Sequence, residues 1–390
     1  MDYFKGIVTE EKESSAFILD KISYTSDQGM ATIFNKFFTS VAERLKSTQS
    51  NQVSLSDVSD VPNLASVKNF EFNDVSVDFV RKELSSLKVN KSSGLRDIHT
   101  PFLKTGADVL AAPLTYIFNL SLHNAIIPRS WKCATVTPLH KDGSVSDPNN
   151  FRPISVLPVV MKIFNRAVRS QIYQHLSTNK LLSSHQSGFR PGHSTTTCLL
   201  DVSDFILKNM DQGCLTGGLF LDLSKAFDLI DHSILKFKLA HVGILDYALH
   251  WFDNYLTGRT QTVCVHGTSS EPMDLNFEVP QGSVLGPLLF LIFINDLPNC
   301  VKQSKVVLYA DDTALFFVNK DVMTIERVLE EELNSLNNWF HENGVIVNCS
   351  KTNATVFGTS QRLAKTSRPC LLYTSPSPRD LSTSRMPSSA

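Results

Sequence analysis

The sequence predicts an α+β protein in which short strands are covered by amphipathic helices. Residues 306–318 contain two β-prone, mostly apolar runs separated by a short polar turn, a pattern typical of a β-hairpin. Apolar residues recur at helical spacing in 159–176 and in 322–343. With 390 residues, the chain is long enough for a large core and for two or three subdomains.

Composition places the chain among globular proteins, with 42% hydrophobic and 19% charged residues. The longest apolar run, 285–294, contains Gly286 and Pro287 and is too short to span a bilayer, and residues 1–13 lack the features of a signal sequence. Seven cysteines without a C-x-x-C pair argue against a zinc site and favour reduced thiols. We therefore expect an intracellular protein of the cytoplasm or the nucleus.

The formal net charge of −1 gives no support to nucleic-acid binding. A nucleic-acid-binding protein of this composition would need a local basic channel, because its overall charge does not attract phosphates.

The first half of the chain is expected to contain three helices and one pair of strands. Residues 26–47 place Ile33, Phe37, Val41 and Leu45 on one face, which favours a packing helix. The other elements expected are a polar linker at 47–66, a helix at 74–87, a strand and turn from Ala134, a return strand from Asn150, and a helix at 159–176 whose apolar stripe indicates core.

In the second half, an apolar run from Gly218 ends at Asp222 and is followed by a helix-compatible stretch. Asp228 and Asp231 are expected to be charges at the start of that helix. The remaining elements expected are a helix at 246–256, a strand at 261–265, a turn and helix ending near 295–296, the hairpin, the helix at 322–343, and two short strands in 344–358.

Asp311 and Asp312 are adjacent carboxylates at the tip of the predicted hairpin. Such charges repel each other unless a cation sits between them, although an Asp-Asp pair taken alone is most often solvated turn chemistry. Asp222 ends the upstream strand, so it would meet Asp311 at one sheet edge if the two strands are neighbours. The carboxylates would then hold two Mg²⁺ ions roughly 4 Å apart, the spacing that clamps both oxygens of an in-line phosphoryl displacement.

The sequence around these carboxylates resembles that of reverse transcriptases. Tyr-Ala-Asp-Asp at 309–312 is similar to their catalytic hairpin, and Asp-Leu-Ser-Lys-Ala-Phe-Asp at 222–228 is similar to their first palm motif. The resemblance runs in the same order from about Asn90 to Gly358 and is greatest to the non-LTR (LINE-type) retrotransposon enzymes of the jockey and chicken-repeat groups. It implies a right-hand polymerase fold, with a fingers module and an α+β palm whose antiparallel sheet lies under packed helices.

For catalysis, the resemblance implies that Asp222 and Asp311 hold the metal ions and that Asp312 assists nearby. The backbone carbonyl of Leu223 would complete the metal shell, and Lys351 would protonate the leaving pyrophosphate. The expected cofactors are two Mg²⁺ ions, with Mn²⁺ as an alternative.

The resemblance also implies a nucleotide site. Lys141 and Arg152 match residues that grip the incoming triphosphate, where Arg offers a bidentate fork and Lys a point charge. Phe227 matches an aromatic residue that blocks the ribose 2′-hydroxyl, although a plain core position is equally compatible with the sequence. Gln281 and Gly282 match residues that rest under the nascent base pair, where glycine allows close backbone approach.

Two further residues match template or primer contacts. Lys91 belongs to a Lys-Ser-x-Gly-x-Asp loop at the start of the fingers, and Arg190 belongs to a block at 186–197 that lies against the template. His193 in that block has no Cys or His neighbour at metal spacing and is expected to be structural or to face the template, not to bind a metal. Asn165 departs from the family pattern, because related enzymes often carry a glutamate there.

The resemblance also implies an order of domains along the chain. We expect an N-terminal helical and linker segment at 1–66, fingers at 67–210, a palm at 211–369 with an inserted fingers portion at about 236–276, and a disordered tail at 370–390. The tail resembles the translation of a sequencing-library adapter. We also expect the thumb to be missing and an endonuclease domain to lie upstream in the parent element.

The implied function is RNA-directed DNA synthesis, with an RNA template, a DNA primer and dNTPs as partners and no membrane. Three alternatives stay open. An RNA-directed RNA polymerase is argued against by Phe227, and a group II intron maturase or telomerase-like enzyme by the blocks at 150–155 and 186–190. The third alternative is a catalytically inactive fragment, lacking its thumb, that at most binds nucleic acid.

Overall fold

A computed structural model gives the structure of the chain over residues 17–19, 22–24, 26–47, 68–89, 98–141, 143–275, 279–280 and 282–364. Lys91 with the rest of its loop, Gln281, and the tail at 370–390 lie outside the described residues. Among the described residues, no helix combines the length and apolar character needed to cross a membrane.

The described helices are α1 (Asp27–Ser47), α2 (Val77–Ser85), α3 (Thr100–Thr105), α4 (Ala107–Asn124), α5 (Val159–Thr178), α6 (Thr195–Asp211), α7 (His232–His241), α8 (Asp246–Leu256), α9 (Gly286–Phe293), α10 (Val322–Glu342) and α11 (Ser360–Leu363). The described strands are β1 (Phe17–Leu19), β2 (Ile22–Tyr24), β3 (Cys133–His140), β4 (Phe151–Val156), β5 (Leu215–Leu221), β6 (Arg259–Val265), β7 (Thr268–Ser269), β8 (Met273–Leu275), β9 (Lys305–Tyr309), β10 (Asp312–Asn319) and β11 (Asn353–Phe357). The mixture of helices with strands confirms the α+β prediction.

A four-stranded antiparallel sheet has the order β11-β5-β10-β9. Within it, β5 and β10 are direct neighbours although they lie about a hundred residues apart in sequence. The strands are rich in β-branched and aromatic residues, which favour a pleated surface. Helix α10 packs on this sheet with its apolar stripe, and Ile325, Leu329 and Leu336 are buried in the contact with the main core.

A second sheet has the order β4-β3-β6-β7, and β8 also pairs with β6. Strands β3 and β4 form an antiparallel pair, whereas β3 and β6 run parallel. Parallel neighbours need a long crossover connection. After β3 and β4, the chain runs through α5, α6, strand β5 of the first sheet, α7 and α8 before it reaches β6.

Helix α1 covers the second sheet. Its Phe34 and Phe37 form a small core with Val136 and Val263 of that sheet. Asn35 is fully buried and donates through Nδ2 to the Ser270 hydroxyl at 2.9 Å, which fixes the helix against the sheet. The expected packing face of this helix is thus confirmed at Ile33, Phe37 and Val41.

Most predicted elements are confirmed, including the hairpin and the helices at 159–178 and 322–342. Two predictions are wrong. The stretch after Asp222 is a series of turns, and the helix begins only at His232, with Asp231 as its N-cap. Asp228 lies buried in those turns and is not a helix-start charge. The turn is imposed by Lys225, whose φ of 46° is incompatible with a continuous helix.

The second error concerns residues 344–358, where two strands were expected. Only β11 forms, and Val347 makes a single β-bridge with Leu223. Instead of a second strand, the backbone forms a turn. The N–H groups of Lys351 and Thr352 both donate to the carbonyl of Asn348. The domain boundaries given above stay predictions.

Candidate active site

Two neighbouring strands bring three carboxylates to one edge of the four-stranded sheet. Strand β5 ends at Leu221, and its last residue in register faces Thr313 of β10. Asp222 follows β5 directly, Asp311 lies in the turn between β9 and β10, and Asp312 is the first residue of β10. The antiparallel register therefore places the carboxylates of the two sequence motifs beside each other, as the sequence predicts.

The hairpin turn has an unusual backbone at Ala310, whose φ is 57°. This left-handed conformation is uncommon for a residue with a side chain, and it reverses the chain tightly between β9 and β10. Asp311 is half-buried at the turn, whereas Asp312 begins β10 and is exposed.

Burial and neighbouring negative charge raise the pKa of two of these carboxyl groups, those of Asp311 and Asp312. Burial raises the pKa of the Asp311 carboxyl above its usual value, and the charge of Asp222 raises it further, while its own backbone N–H and the Arg152 guanidinium lower it. Burial also raises the pKa of the Asp312 carboxyl, and the charges of Asp311 and Asp222 add to this effect. The surroundings therefore disfavour the ionised forms of Asp311 and Asp312 when no cation is bound.

The donor set fits a hard divalent cation. Among the described residues, no three His, Cys, Asp or Glu side chains are arranged to hold one metal ion as a set. Mg²⁺ does not need such a cage, because it is usually held by one or two carboxylates together with substrate phosphates and water. Asp222 and Asp311, as oxygen donors in mutual repulsion, suit that mode of binding.

The raised pKa values predict how the fold responds to pH and to metal. A carboxyl whose folded-state pKa is raised stabilises the fold fully below its ordinary pKa, near 3.8 for Asp, and this contribution is lost as the pH rises through the raised value. We therefore expect the metal-free Asp311→Asn variant to unfold at a higher temperature than the parent chain at neutral pH. Thermal unfolding followed by circular dichroism from pH 4 to pH 8 should show the difference growing with pH.

Mg²⁺ should reverse the order, because an ion that binds the folded state alone stabilises it by mass action. We expect Mg²⁺ to raise the unfolding temperature of the parent chain and to leave that of Asp311→Asn nearly unchanged. Equal responses of the two proteins to Mg²⁺, or a difference that does not depend on pH, would contradict the assigned charge repulsion.

Asn348 is a site residue that the sequence analysis did not single out. Its Nδ2 donates to Oδ2 of Asp222 at 2.9 Å, and its backbone N–H donates to the Asp222 carbonyl at 2.7 Å. The Ser350 hydroxyl in turn donates to Asn348 Oδ1 at 2.7 Å, which fixes the orientation of the amide. The residue lies in the same short block as Lys351, but nothing in a local pattern reveals a contact across 126 positions.

Phe227 lies in the turns after β5, and Gly282 lies shortly before α9. Phe227 is half-buried and stacks on Phe290, with ring centroids 4.8 Å apart. Gly282 has a φ of 97°, and a Cβ at this position would lie 2.8 Å from the carbonyl oxygen of Ser155. Only glycine fits there without displacing the backbone of β4.

Arg152 and Lys141 lie on the second sheet. Arg152 is exposed on β4, opposite Leu139 of β3, and its charge reaches Asp311. Lys141 is exposed just after β3, and its backbone N–H donates to the Asn150 carbonyl at 2.8 Å. Arg152 of the second sheet therefore lies within electrostatic range of Asp311 of the first sheet.

Lys351 lies with Asp222 and Asp312 on the wall of one cavity of about 730 Å³. Its side chain is exposed, in the turn that precedes β11. Leu223 follows Asp222 and is buried beside Val347. The roles predicted for the Lys351 ammonium and the Leu223 carbonyl stay predictions.

Arg190 lies in the loop before α6 and is half-buried. Its Nη1 donates to the carbonyl of Ser183 at 2.7 Å and to that of Gln186 at 3.0 Å. These bonds turn part of the guanidinium toward its own loop, and its predicted template contact stays a prediction. His193 approaches the Ser187 hydroxyl at 3.3 Å, in line with a structural role.

Comparison with known proteins gives the family. The sequence model described as "Reverse transcriptase (RNA-dependent DNA polymerase)" matches residues 139–376, well over half of the chain. The chain is 31% identical over 286 residues to the "Probable RNA-directed DNA polymerase from transposon BS" of Drosophila melanogaster, covering 71% of this chain and 32% of that protein.

Two further relatives agree. The "RNA-directed DNA polymerase from mobile element jockey" of Drosophila melanogaster is 30% identical, with 71% of this chain and 31% of that protein covered. The "Retrovirus-related Pol polyprotein from type-1 retrotransposable element R2" of Popillia japonica is 26% identical, with 60% of this chain and 33% of that protein covered. The chain spans about a third of the length of these curated relatives.

The matched region contains both strands of the catalytic hairpin, the strand that delivers Asp222 and the strand that carries Arg152. The chain therefore belongs to the reverse transcriptase family, and its relatives include the jockey-type enzymes of non-LTR retrotransposons.

Proposed function

We propose that this chain forms the catalytic part of an RNA-directed DNA polymerase, which copies an RNA template into DNA from a DNA primer with dNTPs. One observation carries the proposal. Asp222 directly follows β5, and Asp311 and Asp312 lie at the start of the neighbouring strand β10. Carboxylates from two distant motifs therefore share one sheet edge. Such a pair is what in-line phosphoryl displacement requires.

The reaction is a nucleotidyl transfer in which the primer 3′-hydroxyl attacks the α-phosphate of the incoming nucleotide and pyrophosphate leaves. Bound at Asp222 and Asp311, two Mg²⁺ ions, or Mn²⁺ in their place, would neutralise the charge on the attacking and leaving oxygens. Asn348 holds the Asp222 carboxylate in one orientation through its 2.9 Å hydrogen bond. Asp312 adds negative charge nearby and lies closer to solvent.

The second sheet would supply the groups that bind the triphosphate. Arg152 already exerts an attractive charge on Asp311, so its guanidinium can reach phosphate oxygens held beside that carboxylate. Lys141 follows the partner strand of the same hairpin and would add a second cation at its loop end. Lys351, on the cavity wall with Asp222, would donate a proton to the leaving pyrophosphate.

Phe227 would exclude ribonucleotides. Its ring is held on one side by the stack with Phe290 and meets Phe189 edge-on at 6.2 Å. A ring fixed by two neighbours cannot swing away from a ribose 2′-hydroxyl, so bulk at this position acts as a steric filter. Gln281 and Gly282 would support the nascent base pair.

A reducing compartment, the cytoplasm or the nucleus, is the proposed location of this chain, in keeping with its free thiols. All six cysteines of the described region are unbonded to one another.

Primer extension tests the proposed function. The full chain is incubated with a DNA primer annealed to an RNA template, Mg²⁺, and either dNTPs or NTPs. We expect extension with dNTPs alone, because Phe227 rejects the 2′-hydroxyl, and we expect the signal to vanish when Mg²⁺ is chelated. Denaturing gel electrophoresis of a labelled primer measures both results.

Retention of the labelled template on the same protein is measured in parallel by filter binding. A folded chain that retains the RNA but extends no primer would overturn the catalytic proposal and leave nucleic-acid binding as its function. Extension with NTPs as efficient as with dNTPs would instead identify an RNA-directed RNA polymerase.

A further inference from the structure

Residues 183–190 lie alongside β9, the edge strand that leads into the catalytic turn. The N–H of Ser187 donates to the carbonyl of Leu308 at 2.9 Å, and the N–H of Leu308 donates to the carbonyl of His185 at 2.9 Å. Gln186 and Leu308 form a parallel β-bridge between these bonds. The segment therefore extends the four-stranded sheet by one short rung, directly before Ala310.

The side chain of Gln186 continues this contact into the turn. Its Oε1 accepts a hydrogen bond from the N–H of Ala310 at 2.9 Å, and its Nε2 donates to the carbonyl of Ala310 at 3.1 Å. The same Oε1 accepts from the N–H of Gly188 at 2.7 Å. Gln186 is only 4% exposed, so these bonds are shielded from water.

The Gln186 amide thus satisfies both backbone hydrogen-bonding groups of Ala310, as a neighbouring strand would for a residue inside a sheet. With a φ of 57°, Ala310 has left the strand conformation and cannot pair its N–H and carbonyl with an ordinary partner. A primary amide is the side chain that offers one donor and one acceptor in a single plane. A carboxylate would lose the donor and add a charge beside Asp311.

Gly188 makes the close approach possible. A Cβ on Gly188 would lie 2.1 Å from the backbone nitrogen of Ala310. The loop and the turn are therefore in direct backbone contact, and Gln186 is locked between them.

From this geometry we infer that Gln186 is a positioning residue for the catalytic turn: its amide holds the backbone at Ala310 so that Asp311 and Asp312 point to the metal-binding edge shared with Asp222. The inference rests on the proposed function, since it assigns Gln186 to the same site. It assigns Gln186 no contact with substrate.

The chain contains a matched control. Gln171 on α5 makes the same two-point contact with Asn73, donating to its carbonyl at 3.0 Å and accepting from its N–H at 2.8 Å. Neither Gln171 nor Asn73 belongs to the carboxylate site. Replacing each glutamine by methionine removes the same two-point amide contact and keeps the length of the side chain; the Gln171 contact is exposed, whereas that of Gln186 is buried.

The experiment compares the full chain with its Gln186→Met and Gln171→Met variants. Mn²⁺ affinity is measured by electron paramagnetic resonance, hydrogen exchange of peptides covering 306–314 by mass spectrometry, and kcat and dNTP KM by primer extension. For Gln186→Met we expect faster exchange in those peptides. We also expect Mn²⁺ affinity and kcat each to fall about 10- to 100-fold, as for other residues that orient metal ligands, with little change in KM.

For Gln171→Met we expect a loss of thermal stability with unchanged Mn²⁺ affinity and unchanged exchange at the hairpin. If the two variants behave alike at the hairpin and toward Mn²⁺, the inference is overturned, because Gln186 is then one structural amide among others. If Gln186→Met does not fold, Gln186→Glu, which retains the accepting oxygen, takes its place.

Because Gln186→Glu keeps the accepting oxygen but loses the donor to the Ala310 carbonyl, it should speed hydrogen exchange in the 306–314 peptides and weaken Mn²⁺ binding, and unchanged values of both overturn the inference. Failure of both variants to fold would make Gln186 a residue of the fold and would also overturn it. If the parent chain neither binds Mn²⁺ nor extends a primer, the proposed function fails. The contrast in hydrogen exchange then still decides whether Gln186 holds the turn.

Discussion

Replacing Asp222 or Asp311 by asparagine is expected to lower kcat for primer extension by about 10³-fold or more. Charge stabilisation by a metal site is worth several kcal/mol, and each 1.36 kcal/mol corresponds to about tenfold in rate. An amide keeps the size of the side chain but carries no charge to hold Mg²⁺. The expected effect on dNTP KM is much smaller, because the proposed triphosphate contacts on the second sheet are unchanged in these variants.

Asp312→Asn should have a smaller effect than either of these variants. Asp311 is half-buried and feels both the charge of Asp222 and that of Arg152, so it lies at the centre of the charged groups. Asp312 is exposed at the first position of β10. After burial, the charges that raise the pKa of its carboxyl are those of Asp311 and Asp222. Single-turnover extension under saturating dNTP ranks the three variants directly.

Asp321→Asn is the control for these substitutions. Asp321 caps α10 by accepting from the N–H of Thr324 at 3.0 Å, and asparagine is an equally good cap. This variant should retain the activity of the parent chain. A loss at Asp312 as large as that at Asp311, or full activity without the Asp222 charge, would contradict the assignment of the metal ligands.

The local elements of this fold could be predicted because their patterns are local. The helix at 322–342 buries Ile325, Val328, Leu329, Leu333, Leu336 and Phe340, the residues that its spacing selects. The hairpin was visible for the same reason, since alternation and turn residues lie within a few positions of each other. The joint position of Asp222 and Asp311 needed one further assumption, that β5 and β10 are neighbours, and the register confirms it.

What the sequence could not reveal are contacts that join distant segments. Gln186 reaches Ala310 across 124 positions, and Asn348 reaches Asp222 across 126. Neither residue stands in a pattern that distinguishes it from an ordinary loop amide. The helix predicted directly after Asp222 is wrong for the same reason. The N–H of Ser224 donates to the carbonyl of Ile346 at 2.7 Å, and local helix propensity does not reveal such a long-range bond.

Asn165 is a further case. It is fully buried, and its amide lies beside the hydroxyl of Tyr255, whose ring carries the guanidinium of Arg259 at 5.0 Å from its centroid. Arg259 is 1% exposed, and its Nε and Nη2 have no hydrogen-bond partner within the described part of the chain. A glutamate here, as the family pattern has it, would place a countercharge close to that buried cation. The structure thus gives the departure at Asn165 a physical context that the sequence lacked.

Lys238 is a buried cation that the sequence analysis passed over, and it joins three elements of the core. Its side chain is 3% exposed, and its Nζ donates to the carbonyl of Phe293 at 2.7 Å and to Oδ1 of Asp296 at 2.8 Å. The ring of Trp339 on α10 lies 4.5 Å from the ammonium. Burial lowers the pKa of Lys238, and Asp296 opposes this by stabilising the charged form.

Lys238→Met is expected to cost about 3–5 kcal/mol of unfolding free energy, the usual effect of removing one partner from a buried ion pair. Methionine fills a similar volume, so the main loss is electrostatic: Asp296 keeps its charge without a counter-ion, and the Phe293 carbonyl loses its donor. Urea unfolding followed by tryptophan fluorescence measures the loss, because Trp339 reports on the same contact.

Lys236→Met provides the control from the same helix. Lys236 contacts Asp253 at 2.6 Å, but the two side chains are 36% and 45% exposed, so this pair is worth at most about 1 kcal/mol. The double variant Lys238→Met with Asp296→Asn should recover much of the stability, since it removes the unpaired charge as well. Equal losses at Lys236 and Lys238, or a double variant no more stable than Lys238→Met alone, would show that packing rather than the ion pair determines the stability of this part of the core.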